Sequence, residues 1–376
     1  RYDEAALAFD RAVELEPRYR EARTNKGASF YNAHRFAEAE SQFREAIALA
    51  VDSDPSEIAG AHYNLASLLL SQGKLLEGFQ EYEWRWKTKE WPAVRSYPRA
   101  PRWEGEPLDG QTILVWHEQG FGDTIQFFRF LNDLAKWNCE IEVEIQPELH
   151  RLLTASTSVP NIRFHRSGER LPHFDLHTPL LSLPRLLGIQ YETLPVCKPY
   201  LRPRGREIDE WRRALKAMTP EKNRKKKRVG IVWAGNPKHP ADHQRSMTWE
   251  TIQPLVEAHN DRYQFFSLQP GSNARMTDHA GSPHVIDLGE ELRDFAVTAA
   301  IVTNLDLIIA VDTSIVHVAG ALGKRVWTML AHTPDWRWVI GEERTKWYPA
   351  MSLFWQKNPG AWDGVIAEVS ESLALD

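Results

Sequence analysis

Cysteine is scarce in this chain: Cys139 and Cys197 are the only two in 376 residues, enough for one bridge at most. Two cysteines exclude a four-cysteine zinc site and suit a reducing compartment, so a cytoplasmic location is expected. No apolar run approaches the ~18 residues of a membrane-spanning helix, and no membrane span is expected. N-x-[ST] glycosylation sequons are missing as well. Excess positive charge is also absent: 46 Lys and Arg stand against 51 Asp and Glu, a formal net charge of −5. That balance excludes a bulk electrostatic affinity for nucleic acid or anionic membrane. What is present is ordinary globular composition, with 42% hydrophobic and 26% charged residues. At roughly 150 residues per domain the length allows two or three domains.

A spacing of 34 residues organises the N-terminal quarter: Ala5, Phe9 and Ala12 recur as Ala39, Phe43 and Ala46. After a five-residue insertion near Val51–Pro55 the same positions return as Gly78, Tyr82 and Arg85. A small residue, a ring three or four positions on and another small residue lay a close-packing stripe along one helix face. The pattern resembles the tetratricopeptide repeat over about residues 1–87, which implies stacked helical hairpins with a concave peptide-binding surface. The first unit is incomplete, so further repeats are expected upstream. Pro92, Pro98, Pro101 and Pro107 then mark a proline-rich linker across residues 88–110.

From Gln111 the period changes. Strands are predicted at Thr112–Trp116, Glu140–Ile145 and Ile162–His165, and helices from Thr124 to about Trp137, at Glu148–Leu153, Leu180–Leu187 and Glu207–Met218. Lys222–Arg228 holds six basic residues in seven and is expected to be a solvated linker. A second series follows, with strands at Arg228–Trp233, Tyr263–Leu268, Leu307–Val311 and Arg325–Leu330. Its helices fall at Trp249–His259, Leu292–Asn304 and Thr313–Leu322, and Trp362–Leu375 closes the chain against either lobe. Such alternation predicts parallel sheets with helices on their faces, in two Rossmann-like lobes at 111–221 and 229–376. Ligands of such sheets bind at the carboxyl ends of the strands, here in the cleft between the lobes.

Three strand-to-helix junctions carry candidate chemistry. In His117-Glu-Gln-Gly120-Phe-Gly122-Asp123 the glycines permit a tight turn. Asp123 is either a helix N-cap or a carboxylate acting as general base, with His117 and Glu118 as rival bases on the same loop. The dinucleotide fingerprint is excluded, because it needs glycine at Ile125. In Asp312-Thr313-Ser314-Ile-Val-His317 the amides and hydroxyls of Thr313 and Ser314 form an anion site, and Asp312 accepts from sugar hydroxyls. His317 follows Thr313 by four residues, on the same helical face; the other reading is a capped helix with a core histidine. Gly320–Lys324 fails as a P-loop, since Val318 and Arg325 replace its first glycine and its Ser/Thr. The third junction is a long polar loop from Trp233 through Asn236 to Arg245, in which Arg245 is suited to bidentate phosphate binding. The tryptophan-rich run Thr333–Trp338, continued at Lys346–Tyr348, either fills a core or stacks on sugars. No metal is expected: Asp52-Ser-Asp54 is the only Asp-x-Asp, and His173 and His177 lack the glutamate of a zinc protease motif.

Gly122-Asp123, the Arg245-Ser246 to Trp249 segment, and Asp312–His317 with Ala319–Gly323 together make residues 111–376 similar to the GT-B glycosyltransferases. The likeness is to bacterial ADP-heptose heptosyltransferases in particular. Repeats joined to such a module also resemble the protein O-GlcNAc transferases. The resemblance implies an α plus α/β protein, tetratricopeptide helices followed by two Rossmann-like lobes. It implies sugar transfer from a nucleotide-diphosphate sugar to an acceptor hydroxyl, inverting and without metal, on a protein or peptide held by the repeats. Asp123 becomes the base; Arg245, Thr313 and Ser314 hold the diphosphate and Asp312 the donor sugar. Gly122, Trp233, Asn236 and His317 complete the nucleotide-sugar site. Ser314 departs from the glycine usual in heptosyltransferases. Two other readings keep the same residues: a catalytically silent scaffold with a nucleotide- or glycan-binding module, and a nucleotide-sugar epimerase.

Overall fold

The computed structural model describes residues 2–49, 54–88, 97, 100–194, 198–269 and 282–376, so Asp52, Pro92, Pro98 and Cys197 lie outside the described residues. The chain divides into two compact units. One comprises Arg1–Arg99, Pro184–Leu194 and Asp335–Gly341; the other comprises Ala100–Leu183, Pro195–Pro334 and Glu342–Asp376.

The first unit is built on helices α1 (Tyr2–Leu15), α2 (Arg20–Asn32), α3 (Phe36–Ala48), α4 (Pro55–Ser71) and α5 (Leu75–Tyr82), packed against their sequence neighbours. The turns after α2 and α4 pass through left-handed residues, His34 at φ 58° and Gly73 at φ 77°. Both close with the same Schellman pair of bonds. His34 N–H donates to Tyr31 O (3.0 Å) and Arg35 N–H to Phe30 O (2.9 Å); Gly73 N–H donates to Leu70 O (2.9 Å) and Lys74 N–H to Leu69 O (2.9 Å). The two turns lie 39 residues apart, which is the 34-residue period plus the five-residue insertion. Close packing accounts for the small residues. A Cβ on Gly27 would stand 2.6 Å from the Phe43 ring, and one on Gly78 would stand 2.7 Å from Leu70. Asp335–Gly341 completes this core: Trp336 meets the rings of Phe79 and Tyr82 at 5.6 and 5.5 Å. Ile340 N–H donates to Ser71 O (2.9 Å), and Trp336 and Trp338 are buried. This part of the tryptophan-rich run therefore fills a core.

The second unit holds two sheets. The first contains β1 (Thr112–Trp116), β2 (Glu140–Ile145), β3 (Ile162–Arg166) and β4 (Leu176–Pro179), in the order β3-β2-β1-β4. The second contains β5 (Lys227–Val232), β6 (Tyr263–Ser267), β7 (Val285–Asp287), β8 (Leu307–Val311), β9 (Val326–Leu330) and β10 (Met351–Trp355), in the order β10-β9-β8-β5-β6-β7. Among the described residues every pair of these strands is parallel, and an isolated antiparallel bridge joins Arg344 to Ser352 of β10. Parallel strands are covered on both faces, and β8, Leu-Ile-Ile-Ala-Val, is buried along its whole length.

Local structure departs from the sequence expectation in several places. The helix expected from Thr124 begins at Phe121 and relaxes into 3₁₀ turns at Phe128–Phe130 and Ala135–Trp137. The basic run is not wholly a linker: Lys227 and Arg228 open β5, and Lys226 Nζ donates to Asn260 O (2.6 Å). The closing helix packs on the second sheet, burying Trp362, Val365, Ile366, Val369 and Leu373 in its core.

Candidate functional site

Each sheet is wound outward in two directions from its first strand. In the second sheet the chain steps from β5 to β6 and β7 on one side, then crosses to β8, β9 and β10 on the other. The switch point therefore lies between β5 and β8, and the crevice outside their carboxyl ends is the natural ligand position of such a sheet. The loop leaving β5 carries Trp233, Asn236 and Arg245; the turn leaving β8 carries Asp312, Thr313 and Ser314. The first sheet has the same plan, with its switch point between β1 and β4 and the His117–Asp123 loop leaving β1.

A buried glutamine fixes the loop in each lobe. In the second lobe Gln269, just past β6, accepts from Trp233 N (3.2 Å) and Ala234 N (3.0 Å) and donates to Ala234 O (2.8 Å). In the first, Gln146, just past β2, accepts from Thr124 Oγ1 (2.9 Å) and donates to Gln119 O (3.0 Å). Neither glutamine is among the residues singled out in the sequence. The pairing of a strand-end glutamine with the neighbouring loop is invisible until the strands are aligned.

Arg245 sits in a made-to-measure niche. Asp242, 3% exposed, accepts from Ser246 Oγ (2.6 Å), and Ser246 Oγ in turn accepts from Gly235 N (2.8 Å). A Cβ on Gly235 would come within 3.0 Å of both Asp242 Oδ1 and Arg245 Nε. Arg245 Nε stands 3.9 Å from Asp242 Oδ1, is buried, and makes no hydrogen bond among the described residues. Across the crevice Thr313 is the N-cap of helix Ser314–Ala321, and its buried Oγ1 likewise has no hydrogen-bond partner among the described residues. Orphaned polar groups of this kind are costly unless a ligand or solvent satisfies them. Gly235 and Asp242 are further site residues to which sequence reasoning gave no role, and Ser246 entered it only as part of the Arg245–Trp249 segment. Asn236 is exposed, and its Oδ1 accepts from Lys238 N (3.0 Å).

Asp123 lies in the first turn of helix Phe121–Phe127, where Gly120 is the N-cap; Asp123 Oδ2 accepts from Gly120 N (2.8 Å). The expectation of an N-cap at Asp123 is thus corrected to third helical position, because the helix starts earlier. His117, Glu118 and Asp123 are all partly exposed at the loop.

Two expected ligand contacts are placed in the interior instead. Trp233, 0% exposed, packs its ring on Trp249 at 5.3 Å, so its side chain belongs to the sheet core. His317, 4% exposed, shares a hydrogen bond between its Nδ1 and Tyr348 Oη (2.9 Å) and lies against Gly122, where a Cβ would fall 2.7 Å from its ring. Burial, then the Arg129 charge, push its pKa down to about 3, so the ring is neutral. These contacts join the lobes. Arg129, from the first, donates to Trp347 O (2.9 Å) of the second, and is steadied within its own lobe by donating to Tyr200 Oη (3.0 Å). Phe121 meets Phe295 at 4.9 Å, and Arg151 pairs with Asp294.

Among the described residues no group of three or more His, Cys, Asp and Glu is placed to hold a metal ion, and no helix is long and apolar enough to cross a membrane. Two cavities lie apart from the strand-end crevice. One, of about 360 Å³, is lined by Arg129, Lys198, Tyr200 and Arg202; the other, of about 580 Å³, lies in the helical unit between α2 and α4.

No family model matches the chain. It is 24% identical over 394 residues to Protein FlbA of Caulobacter vibrioides, an alignment that covers 97% of this chain and 63% of that protein. The chain thus spans about 63% of the length of that curated relative. Its structure superposes on a glycosyl transferase family 9 structure from Veillonella parvula with TM-score 0.50 and 13% identity, covering 72% of this chain and 99% of the other. The ADP-heptose lipopolysaccharide heptosyltransferase II structure from E. coli gives TM-score 0.43 and 13% identity, covering 70% and 99%. The first of these likenesses shows the fold, two Rossmann-like lobes of GT-B type.

Proposed function

We propose that this chain is a glycosyltransferase that moves a sugar from a nucleotide-diphosphate sugar to an acceptor hydroxyl. The observation that carries the reading is the pair of orphaned donors at one switch point: Arg245 Nε after β5 and Thr313 Oγ1 after β8. In this reading the diphosphate lies between Arg245 and the start of helix Ser314–Ala321, where cation and helix dipole meet the charge of the departing nucleotide. Asp312 accepts from the donor sugar. Asp123, across the cleft on the first lobe, takes the proton of the acceptor hydroxyl as it attacks the anomeric carbon, with inversion. No step calls on a metal.

The N-terminal helices are read as tetratricopeptide repeats that hold a protein or peptide acceptor. Support comes from the repeated Schellman turns at His34 and Gly73 and from the α2–α4 cavity, lined by Thr24, Asn25, Tyr63 and Asn64. Carboxamides both give and accept hydrogen bonds, as an extended peptide requires.

The test is calorimetric titration of ADP, UDP and GDP, without magnesium, into wild type and Arg245→Ala, followed by donor turnover. One nucleotide should bind and weaken in the variant, and kcat should fall about 10²–10³-fold on loss of this charge donor. Asp123→Asn should lower kcat by about 10²–10⁴-fold with nucleotide affinity kept. Full turnover in Asp123→Asn would transfer the base role to His117 or Glu118. Binding without any donor cleavage would favour the silent scaffold, and an altered free nucleotide sugar the epimerase.

A further inference from the structure

Between β5 and Arg245 the chain runs Asn236-Pro-Lys-His-Pro-Ala-Asp-His-Gln-Arg245, with basic side chains on Lys238, His239, His243 and Arg245 and one carboxylate, Asp242. That carboxylate is buried and committed to Ser246 Oγ. The backbone folds back on itself: His239 N–H donates to Asn236 O (2.9 Å) and Asp242 N–H to His239 O (2.9 Å). The His239 ring joins this turn through Nδ1, 3.2 Å from Ala241 N. A backbone amide can only donate. Nδ1 is therefore the acceptor, and the neutral ring carries its proton on Nε2. With Nδ1 taken up by the turn, Nε2 is the ring's remaining donor, on an exposed side chain. The charged groups that face this ring are Arg245 and Asp242, and burial together with the Arg245 charge holds the imidazole below the ordinary histidine value.

We propose that His239 is the second donor to the diphosphate, giving its Nε2 proton to a phosphate oxygen while Arg245 supplies the positive charge. The inference rests on the crevice being a nucleotide-diphosphate site, and it assigns the loop 236–245 to recognition of the phosphate end. A neutral N–H adds direction without a second full charge beside Arg245, where like charges repel. Two donors of different kind, one cationic and one neutral, fit two linked phosphates better than one. Diphosphates should therefore be preferred over monophosphates, with His239 contributing to that preference.

Inorganic pyrophosphate and inorganic phosphate are the probes, titrated at neutral pH into wild type, Arg245→Ala, His239→Gln and His239→Asn, with thermal melts of each. The glutamine amide reaches the place of Nε2–H, whereas the asparagine amide reaches only the place of Nδ1. Pyrophosphate affinity should fall about tenfold in His239→Asn, the loss of roughly one good hydrogen bond, and stay within about threefold of wild type in His239→Gln. In ¹⁵N-labelled wild type the ring should show a protonated Nε2 that shifts when pyrophosphate is added. Wild-type affinity in His239→Asn, alongside weakened Arg245→Ala, would overturn the role of His239 and leave the crevice reading standing. A proton on Nδ1, or an Nε2 resonance indifferent to pyrophosphate, would overturn it without recourse to variants. No pyrophosphate binding by the wild type would overturn both.

Discussion

His317 follows Thr313 by one helical turn, a spacing that leaves two readings open: a partner of Thr313 and Ser314 at the phosphate site, or a core histidine. The helix does present it on that face, but the face is covered by the Phe121–Phe127 helix of the other lobe, with Gly122 against the ring. No local pattern carries that information, because the covering residue is almost two hundred positions away. Burial leaves a signature in acid. An imidazole with pKa about 3 when folded binds fewer protons below pH 6.5 than the unfolded chain does. Stability is thus full above the unfolded value and drains away as pH falls from about 6.5 towards 3, by up to ~1.4 kcal/mol per pH unit. His177 and His259, also held low by burial, act in the same direction. Denaturant titrations of wild type and His317→Asn between those limits should show a shallower acid slope in the variant. Equal slopes would mean that the ring protonates in the folded state. Trp233 teaches the same lesson from the other side: its place at a strand end is legible, while its inward direction depends on Trp249 closing over it.

At the scale of elements, strands with an apolar run or a strict alternation were legible to the residue, as β1 and β8 show for the first and β2 for the second. The missed ones are short or mixed: β4 ends in Pro179, β7 has three residues, and β10 alternates with serine and tryptophan. The glutamine latches were hidden for a different reason, since each joins a strand end to a loop that only sheet alignment brings near. Gln269→Ala strips partners from two amides and a carbonyl at once, and leaving such groups unsatisfied costs about 1–3 kcal/mol each where they stay buried. A lowered melting temperature together with weaker nucleotide binding is expected. In the helical unit, Gly73→Ala places a Cβ at φ 77° and 3.2 Å from the Tyr191 ring. It should lose about 1–2 kcal/mol in chemical denaturation, the cost of a left-handed alanine.

Over the whole second unit, the two lobes repeat one plan: first strand, loop, glutamine latch, switch point. The helices that follow their first and fourth strands meet at Gly122 and His317. Gly122→Ala presses on a buried ring between them, and overpacking of this kind costs about 1–3 kcal/mol. Because Asp123 is the next residue, kcat should fall with stability, whereas a purely structural change would leave the turnover of the folded fraction intact. The parallel pairing of every strand has a kinetic consequence as well. A tight hairpin cannot join two parallel neighbours; Ile113 must find Leu176, and Val229 must find Leu307, across intervening strands and helices. Such distant closures are slow, and they are the very closures that create the two crevices. During refolding, helical ellipticity should therefore recover before the chain regains any grip on pyrophosphate, and the interval between the two signals times the last act of assembly.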